Sequence, residues 1–250
     1  MFNGKRGQVT LFIVLGITIL ALIIASVFIS RYFKPITPTS SFSSAVDDIK
    51  TQIDSCNKDT AKNSLIFLGA QGGRYKDLIN PIDQENDMLG KVQLSHFVSY
   101  GGYVQFTLDD VEKEINSYYN DNLLECLDNF NEYRNQGYDI KSKIMNVDAV
   151  FEDENTVFDL NYEVEVSKSG KVETLNKYPQ VTVPYKFKKV FNVATEAAKL
   201  HASSGKIPVN YVLGNHISLM NYDVKSSIIY RLTDNKNDPE RKYVFYFAVN

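Results

Sequence analysis

The chain has 250 residues, of which 44% are apolar and 23% are charged, a composition typical of a folded protein and not of a disordered one. Its net charge is −3, and residues 35–250 carry 23 basic against 30 acidic side chains. A mildly acidic domain without a basic stripe argues against nucleic acid as a partner.

The first predicted element is a membrane-spanning helix. Residues 9–30 contain no charged side chain. A helix of that length measures about 33 Å, enough to cross a hydrocarbon core of about 30 Å. The apolar segment also exceeds the roughly 7–15 residues of a secretory signal peptide. We therefore predict a transmembrane helix that, with its flanks, occupies residues 8–34.

The orientation of this helix follows less directly from charge. Basic side chains lie on both flanks, at Lys5, Arg6, Arg31 and Lys34. The numbers of basic residues on the two flanks are therefore nearly equal, and the positive-inside rule favours neither orientation strongly. A large domain behind a short basic leader, residues 1–7, favours a cytoplasmic N-terminus. We predict a single-pass protein of the cell membrane with its C-terminal domain outside, in contact with the lipid bilayer.

Small side chains in the membrane segment are candidates for helix–helix contact. They are Gly16, Ala21, Ala25 and Ser26. They predict a protein partner or a homo-oligomer formed through the membrane helix.

The junction between the leader and the apolar segment reads Lys-Arg-Gly-Gln-Val-Thr-Leu at residues 5–11. It resembles the class III signal of archaeal type IV pilin-like proteins, in which a basic residue and Gly precede a Gln that opens the apolar segment. The resemblance covers residues 1–30 and implies cleavage by a prepilin-type peptidase between Gly7 and Gln8. Thr10 replaces the usual Ser, which is a conservative change.

One position departs from the pilin-like pattern in a way that matters for assembly. Phe12 stands where the family commonly has a Glu that pairs with the N-terminus of a neighbouring subunit. An unpaired charge in an apolar filament core is costly, so that pair enforces register. The resemblance therefore implies a minor pilin-like component or a plain anchor as readily as a filament subunit.

Residues 35–44 (PITPTSSFSS) predict an extended linker, and residues 45–250 predict one α+β domain. The first helix of this domain is expected from Ala45 to Ala70. Ser44 is a suitable N-cap, and Gly72 and Gly73 stop the helix. The segment Gln71–Arg74 is too short for a phosphate-binding loop.

Two further helices are expected, at Leu108–Tyr133 with Thr107 as N-cap and at residues 189–202. Strands are expected near residues 92–94, 98–106, 138–151, 158–166, 181–187, 224–233 and 242–249. The final strand is apolar on both faces, which predicts a central position in a sheet. The fold class is thus α+β, with about three helices packed on a mainly antiparallel sheet.

The two cysteines, Cys56 and Cys126, fall on the apolar stripes of the first two predicted helices of the domain. Two ordinary buried thiols are one interpretation. A location outside the cell favours a disulfide that joins the helices. No CxxC motif or nearby histidine accompanies them, so a zinc site is not expected.

Catalytic and metal-binding patterns are missing from the sequence. The histidines His96, His201 and His216 lie far apart and lack metal-ligand spacing, and no nucleophile-elbow, P-loop or dinucleotide motif is present. His201 is interpreted as a partner of a helix C-terminus. His216 is expected in a loop and is the histidine that we select as a candidate site. We predict no catalytic residue, no metal and no cofactor.

Two charged runs have simple structural interpretations. Lys186, Lys188 and Lys189 are typical of the solvated edge of a strand, and Glu152–Glu154 of a solvated acidic turn.

The predicted function is that of a membrane-anchored extracytoplasmic protein with a structural, adhesive or protein-interaction role, with a pilin-like accessory component as one form of it. The alternative is a ligand-binding or sensory ectodomain that works with a membrane partner. An extracytoplasmic enzyme is the third class.

Overall fold

The computed structural model describes residues 41–86, 89–100, 102–234 and 242–250. The chain divides into two units, Met1–Ser44 and Ala45–Asn250. The predicted leader, its Gly7–Gln8 processing site and the predicted membrane helix lie outside the described residues. No helix within the described ranges is long and apolar enough to span a membrane.

Five α-helices and a short 3₁₀ helix occur in the described residues. The helices are α1 (Phe42–Ala70), α2 (Leu108–Cys126), α3 (Asn131–Asn135), α4 (Phe187–Ser204) and α5 (Val209–Gly214), and the 3₁₀ helix is Asp128–Phe130. The strands are β1 (Ile82–Asn86), β2 (Gly90–Leu94), β3 (His96–Ser99), β4 (Gly102–Tyr103), β5 (Asp139–Ser142), β6 (Asn146–Phe151), β7 (Thr156–Asn161), β8 (Val164–Lys168), β9 (Lys171–Leu175), β10 (Val181–Val183), β11 (Ile217–Val224), β12 (Ser227–Asp234) and β13 (Val244–Val249).

The strands form four sheets within the described ranges. The largest has the order β11-β12-β13-β3-β4, two others have the orders β10-β7-β6 and β5-β8-β9, and β1 pairs with β2. The pairings are antiparallel apart from that of β13 with β3, which is parallel. The predicted α+β class with mainly antiparallel strands is therefore confirmed, although the strands divide among several sheets.

The C-terminal strand β13 lies between β12 and β3, as its apolar pattern predicts. On one face, the Phe247 ring lies 5.4 Å from that of Phe97, and Phe245 lies 6.0 Å from Phe191 of α4. On the other face, β13 joins a cluster of buried side chains that comes from the β1–β2 hairpin, β12 and β13: Ile82, Leu94, Ile229, Tyr246 and Ala248. Both faces of this strand are buried, so it forms the centre of the core.

Helix α1 docks on the start of this strand. The fully buried Tyr243 donates a hydrogen bond from its hydroxyl to the Leu65 carbonyl at 2.7 Å. Gly69 lies against Val244, so close that a Cβ atom there would stand 2.6 Å from the Val244 carbonyl oxygen. The helix ends at Ala70 as predicted, because Gly72 and Gly73 adopt positive φ angles of 76° and 83°.

Helix α2 begins at the predicted cap and protects a sheet edge. The Thr107 hydroxyl accepts from the Asp110 N–H, and the Asp110 carboxylate accepts from the Thr107 N–H. Further along, the Asn116 amide donates to the Val147 carbonyl and accepts from the Val147 N–H, each at 2.8 Å. This pairing satisfies main-chain groups of β6, which is an edge strand.

Two helix boundaries differ from the predictions. Residues 42–44, assigned to the linker, belong to α1, and the Ser44 N–H donates to the Ser41 hydroxyl instead of Ser44 capping the helix. The helix expected at Leu108–Tyr133 ends at Cys126, because Asp128, Asn129 and Phe130 have positive φ angles. Asp and Asn tolerate this left-handed region, which periodicity does not reveal.

Two predicted strands are each divided in the structure. The expected strand 138–151 comprises β5 and β6, and the expected strand 158–166 forms parts of β7 and β8. In both cases the two pieces belong to different sheets. The apolar alternation continues through the break at Tyr162, so the pattern predicts strand but not a change of pairing partner.

Replacing Gly69 with alanine tests the contact between α1 and β13. We expect Gly69→Ala to lower the free energy of unfolding by about 1–3 kcal/mol, because the new Cβ must displace strand backbone. Gly214→Ala in α5 is the control, since a Cβ there meets no atom within 4 Å. Urea unfolding followed by circular dichroism measures both, and equal stabilities would contradict the packing described.

Candidate functional site

A disulfide joins Cys56 of α1 to Cys126 at the end of α2, with an S–S distance of 2.05 Å and a Cα–Cα distance of 5.8 Å. The predicted pairing is therefore present in the structure. The cysteines are 70 residues apart, and closing such a loop stabilises the fold by roughly 4 kcal/mol in the chain-entropy model. Beside it, the Tyr119 hydroxyl donates to the Asn57 side-chain oxygen at 3.0 Å.

His216 lies in a turn between α5 and β11, in agreement with its predicted loop position. Its side chain is exposed and its N–H donates to the Leu213 carbonyl at 2.9 Å. It lines none of the three clefts described below. His201 lies in the last turn of α4, where burial lowers the pKa of its imidazole. That burial disfavours the charged form of the imidazole, which is the form that a helix C-terminus favours.

The first cleft lies where α1 ends and contains Arg74 of the Gln71–Arg74 segment. The guanidinium stacks 3.9 Å from the centre of the Phe106 ring and donates to the Asp77 carbonyl at 3.0 Å. Burial lowers the pKa of Arg74, whereas the nearby carboxylate of Glu114 opposes that shift. The Glu114 carboxylate also accepts from the Tyr75 N–H at 2.9 Å. These contacts hold the loop after α1 against α2, and the segment is more than a helix stop.

The second cleft brings together side chains of both charged runs, Lys186–Lys189 and Glu152–Glu154. Lys186 forms an ion pair with Glu154, and Lys188 lies 3.0 Å from Asp153. The interpretation of the lysines as the edge of a strand is wrong, because Lys186 precedes α4 directly and the other two belong to that helix. The acidic residues do lie in a turn, between β6 and β7, and two of them, Asp153 and Glu154, are paired with these lysines.

The third cleft contains His96, which no motif in the sequence marks as a site residue. Its imidazole is 3% exposed and makes two hydrogen bonds. Nδ1 lies 2.5 Å from the Asn80 carbonyl oxygen, and Nε2 lies 2.9 Å from the hydroxyl of Ser227. Because a carbonyl oxygen can only accept, Nδ1 carries the proton and donates it. Nε2 then presents its lone pair to the Ser227 hydroxyl, which donates.

Three separate elements position these two side chains. His96 opens β3, which pairs with the central strand β13. Ser227 opens β12, directly after the two-residue turn from β11. Asn80 lies in the loop before β1, with a positive φ of 44°. The cleft is lined by residues from these elements and their neighbours: Asn80, Pro81, Ile82, Asp83, Gln93, His96, Lys225, Ser226, Ser227 and Asn250.

Burial controls the protonation of His96. It lowers the pKa of the imidazole, and the hydrogen bond to the Asn80 carbonyl partly opposes that change. A neutral imidazole whose Nδ1–H is held by a carbonyl and whose Nε2 is unprotonated can act as a hydrogen-bond acceptor or as a general base.

Neither similarity to known proteins nor a metal-binding cluster identifies a function for these clefts. Comparison with protein-family models, with curated proteins and with solved structures finds no match. Within the described ranges, no group of three or more His, Cys, Asp or Glu side chains could hold a metal ion.

The pairing of His96 with Ser227 has no signal in the sequence. The two residues are separated by 131 positions, and neither belongs to a motif. They meet because β13 joins β3 to the β11–β12 hairpin, and this strand order is a property of the sheet. By contrast, the cysteine pair could be predicted from the sequence, because each cysteine lies on the apolar face of its own predicted helix.

The buried neutral state of His96 predicts a pH-dependent stability. The folded-state pKa is lowered, so its contribution is fully present above the unfolded pKa of about 6.5 and is lost as pH falls below that value. We expect the free energy of unfolding to decrease between pH 7 and pH 5, and His96→Gln to reduce this dependence. His201 acts in the same direction and remains in both proteins.

Urea unfolding at a series of pH values measures this effect. His216→Gln is the matched control because that histidine is exposed. Identical pH profiles for the wild type and His96→Gln would show that His96 does not contribute.

Proposed function

We propose that this chain is a membrane-anchored extracytoplasmic protein with a structural, protein-interaction role, of the kind that a pilin-like accessory component has. The uncharged segment at residues 9–30 and the resemblance around Gly7–Gln8 support the anchor. The disulfide between Cys56 and Cys126 supports a domain outside the cell, since such bonds persist in oxidising compartments.

The observation that carries the interaction role is the outer edge of β11. Other edge strands in the described residues are blunted: β4 has two residues and β10 has three, β1, β2, β5 and β9 carry charged side chains, and α2 covers β6. β11 has eight residues and no charge from Ile217 to Tyr222. Proteins usually protect such an edge, because it is a template for another strand.

The main chain of β11 is suited to pairing. The turn at Lys225 and Ser226 closes with Val224 opposite Ser227. In a two-residue hairpin the closing pair exchanges both hydrogen bonds, so alternate residues point their N–H and C=O groups away from the partner strand. Leu219 and Asn221 are two of these outward residues. Across the described ranges, no hydrogen bond reaches their outward groups.

Exposed apolar side chains accompany this edge. We define the α5–β11 surface as Val209, Leu213, Met220 and Tyr222, all of which are exposed. Helix α5 immediately precedes β11 and packs against it. Met220 and Tyr222 are two residues apart in β11, so their side chains lie on the same face of the strand beside its outer edge.

We assign this surface to a second copy of the chain. A membrane anchor confines copies to two dimensions and raises their effective concentration, so a modest strand-pairing surface suffices. An identical edge on each copy can pair antiparallel about a two-fold axis.

Intact mass of the membrane-extracted full chain tests the anchor and its processing. A mass that begins at Gln8 is expected for the pilin-type pathway, and a two-dalton increase on reduction is expected from the disulfide. A mass beginning at Met1 would refute processing. A chain isolated under thiol-blocking conditions with both cysteines free would contradict the extracytoplasmic location.

Analytical ultracentrifugation of the full chain in detergent tests self-association. We expect Met220→Lys to weaken the dimer by about tenfold or more, because an unpaired ammonium enters the strand interface. Val172→Lys is the matched control, since Val172 lies on edge strand β9 and is 61% exposed, against 62% for Met220. A wild-type chain that remains monomeric, or equal effects of both substitutions, would reject this surface.

A further inference from the structure

We propose that Ser227 and His96 form an acyl-transfer site that accepts short-chain carboxylic esters, with Ser227 as nucleophile and His96 as general base. This activity goes beyond the structural role, and it rests on the side chains of the third cleft. Neither the proposed membrane anchor nor the α5–β11 surface contributes to it.

The hydrogen-bond chain gives each atom a defined role. The Asn80 carbonyl oxygen accepts the Nδ1 proton of His96 at 2.5 Å, which fixes the tautomer and the ring orientation. Nε2 is left as the acceptor of the Ser227 hydroxyl proton at 2.9 Å. A nucleophile bonded to a base, with the base oriented by a third group, is the arrangement that activates a hydroxyl.

The two reactive groups line a cleft instead of a closed core. Its volume is about 300 Å³, at the lower limit of sites for small molecules. Ser227 is 5% exposed, so a substrate must present its carbonyl carbon within the cleft. This size favours a short acyl group over a peptide or a long chain.

The charged groups of the cleft are Asp83 of β1 and Lys225 of the turn before Ser227. Lys225 is exposed, lines the cleft and precedes the nucleophile by two residues in the chain. A cation in this position can stabilise the negative charge that develops on the carbonyl oxygen.

The reaction balances with water as the second substrate. The Ser227 oxygen attacks the ester carbonyl carbon and its proton passes to His96 Nε2. The bond to the alcohol oxygen then breaks, and His96 gives that oxygen the proton, which leaves an acyl-serine and a free alcohol. Water attacks the acyl carbon and gives a proton to Nε2, after which Ser227 leaves with that proton and a carboxylic acid is released.

The same hydrogen bonds also hold the β11–β12 turn against β3. A purely structural role would make Ser227 and His96 important for stability without making the hydroxyl reactive. The reactivity of Ser227 and the stability of the fold must therefore be measured separately. Reactivity is measured first, on the wild-type chain.

Labelling the full-length chain in detergent with an alkyl fluorophosphonate tests the proposal. Ser227 is expected to displace fluoride, so intact mass gains one adduct and peptide mapping places it on Ser227. The labelling rate is expected to fall only at pH values well below the ordinary histidine pKa of about 6.5, because burial lowers the pKa of His96 and so delays its protonation. Hydrolysis of p-nitrophenyl acetate should show the same pH dependence.

Substitutions distinguish the roles of the cleft residues. Ser227→Ala should abolish labelling, and His96→Gln should slow it by about 100-fold or more, the contribution of a general base. Ser203→Ala is the control, since this exposed serine of α4 lies outside the cleft, and this variant should label at the wild-type rate. Thermal unfolding of each variant reports folding independently.

An unlabelled wild-type chain would overturn the proposal, whatever the variants do. So would an adduct on a residue other than Ser227, or a labelling rate that His96→Gln leaves unchanged while the variant remains folded. None of these outcomes bears on membrane anchoring or on self-association, which are read by intact mass and ultracentrifugation.

Discussion

Burial of β13 on both faces is the constraint on which the rest of the domain depends. One face packs its phenylalanines against α4 and β3, and the other face joins the β1–β2 hairpin. At its start, Tyr243 donates to the Leu65 carbonyl of α1. A strand buried on both sides must find partners on both edges as well, and β12 and β3 provide them. The closing segment of the domain thus ties together helices, hairpin and sheet.

That central strand also explains where the chemically interesting groups lie. Because β12 is antiparallel and β3 parallel to β13, the first residue of each lies at the C-terminal end of β13, and there His96 meets Ser227. The outer strand of the same sheet is β11, and in the described residues no further strand pairs with its outer edge. One strand order therefore produces both the Ser227–His96 cleft and the open edge assigned to self-association.

The remaining sheets are protected by different means. The Asn116 side chain of α2 makes with the main chain of β6 the two hydrogen bonds that a neighbouring strand would make. The disulfide between Cys56 and Cys126 fixes α2 against α1. Together they hold α2 where its side chains can reach the strand. A disulfide that stabilises by roughly 4 kcal/mol is a large share of the 5–15 kcal/mol typical of a domain. An oxidising compartment is consistent with a fold that depends on this bond.

Local patterns predicted much of this architecture, and their failures have physical causes. Apolar periodicity identified α1, α4 and the burial of β13 on both faces, since each of these features depends on side chains close in sequence. It failed at Asp128–Phe130, where left-handed residues end α2. It also failed at Tyr162, where the pairing partner changes while the alternation continues. Cysteine positions on two helix stripes indicated the disulfide.

The sequence by itself determined the types of most elements, the cap at Thr107, the cysteine pair and the prediction of a membrane anchor. Only the tertiary structure decided which strands are neighbours, that the lysines at 186–189 meet the acidic turn, and that His96 donates to Asn80 and accepts from Ser227. The reason is that periodicity records which face of an element is buried, but not against what. Contacts across 131 residues depend on strand order, which emerges only when the whole core is packed.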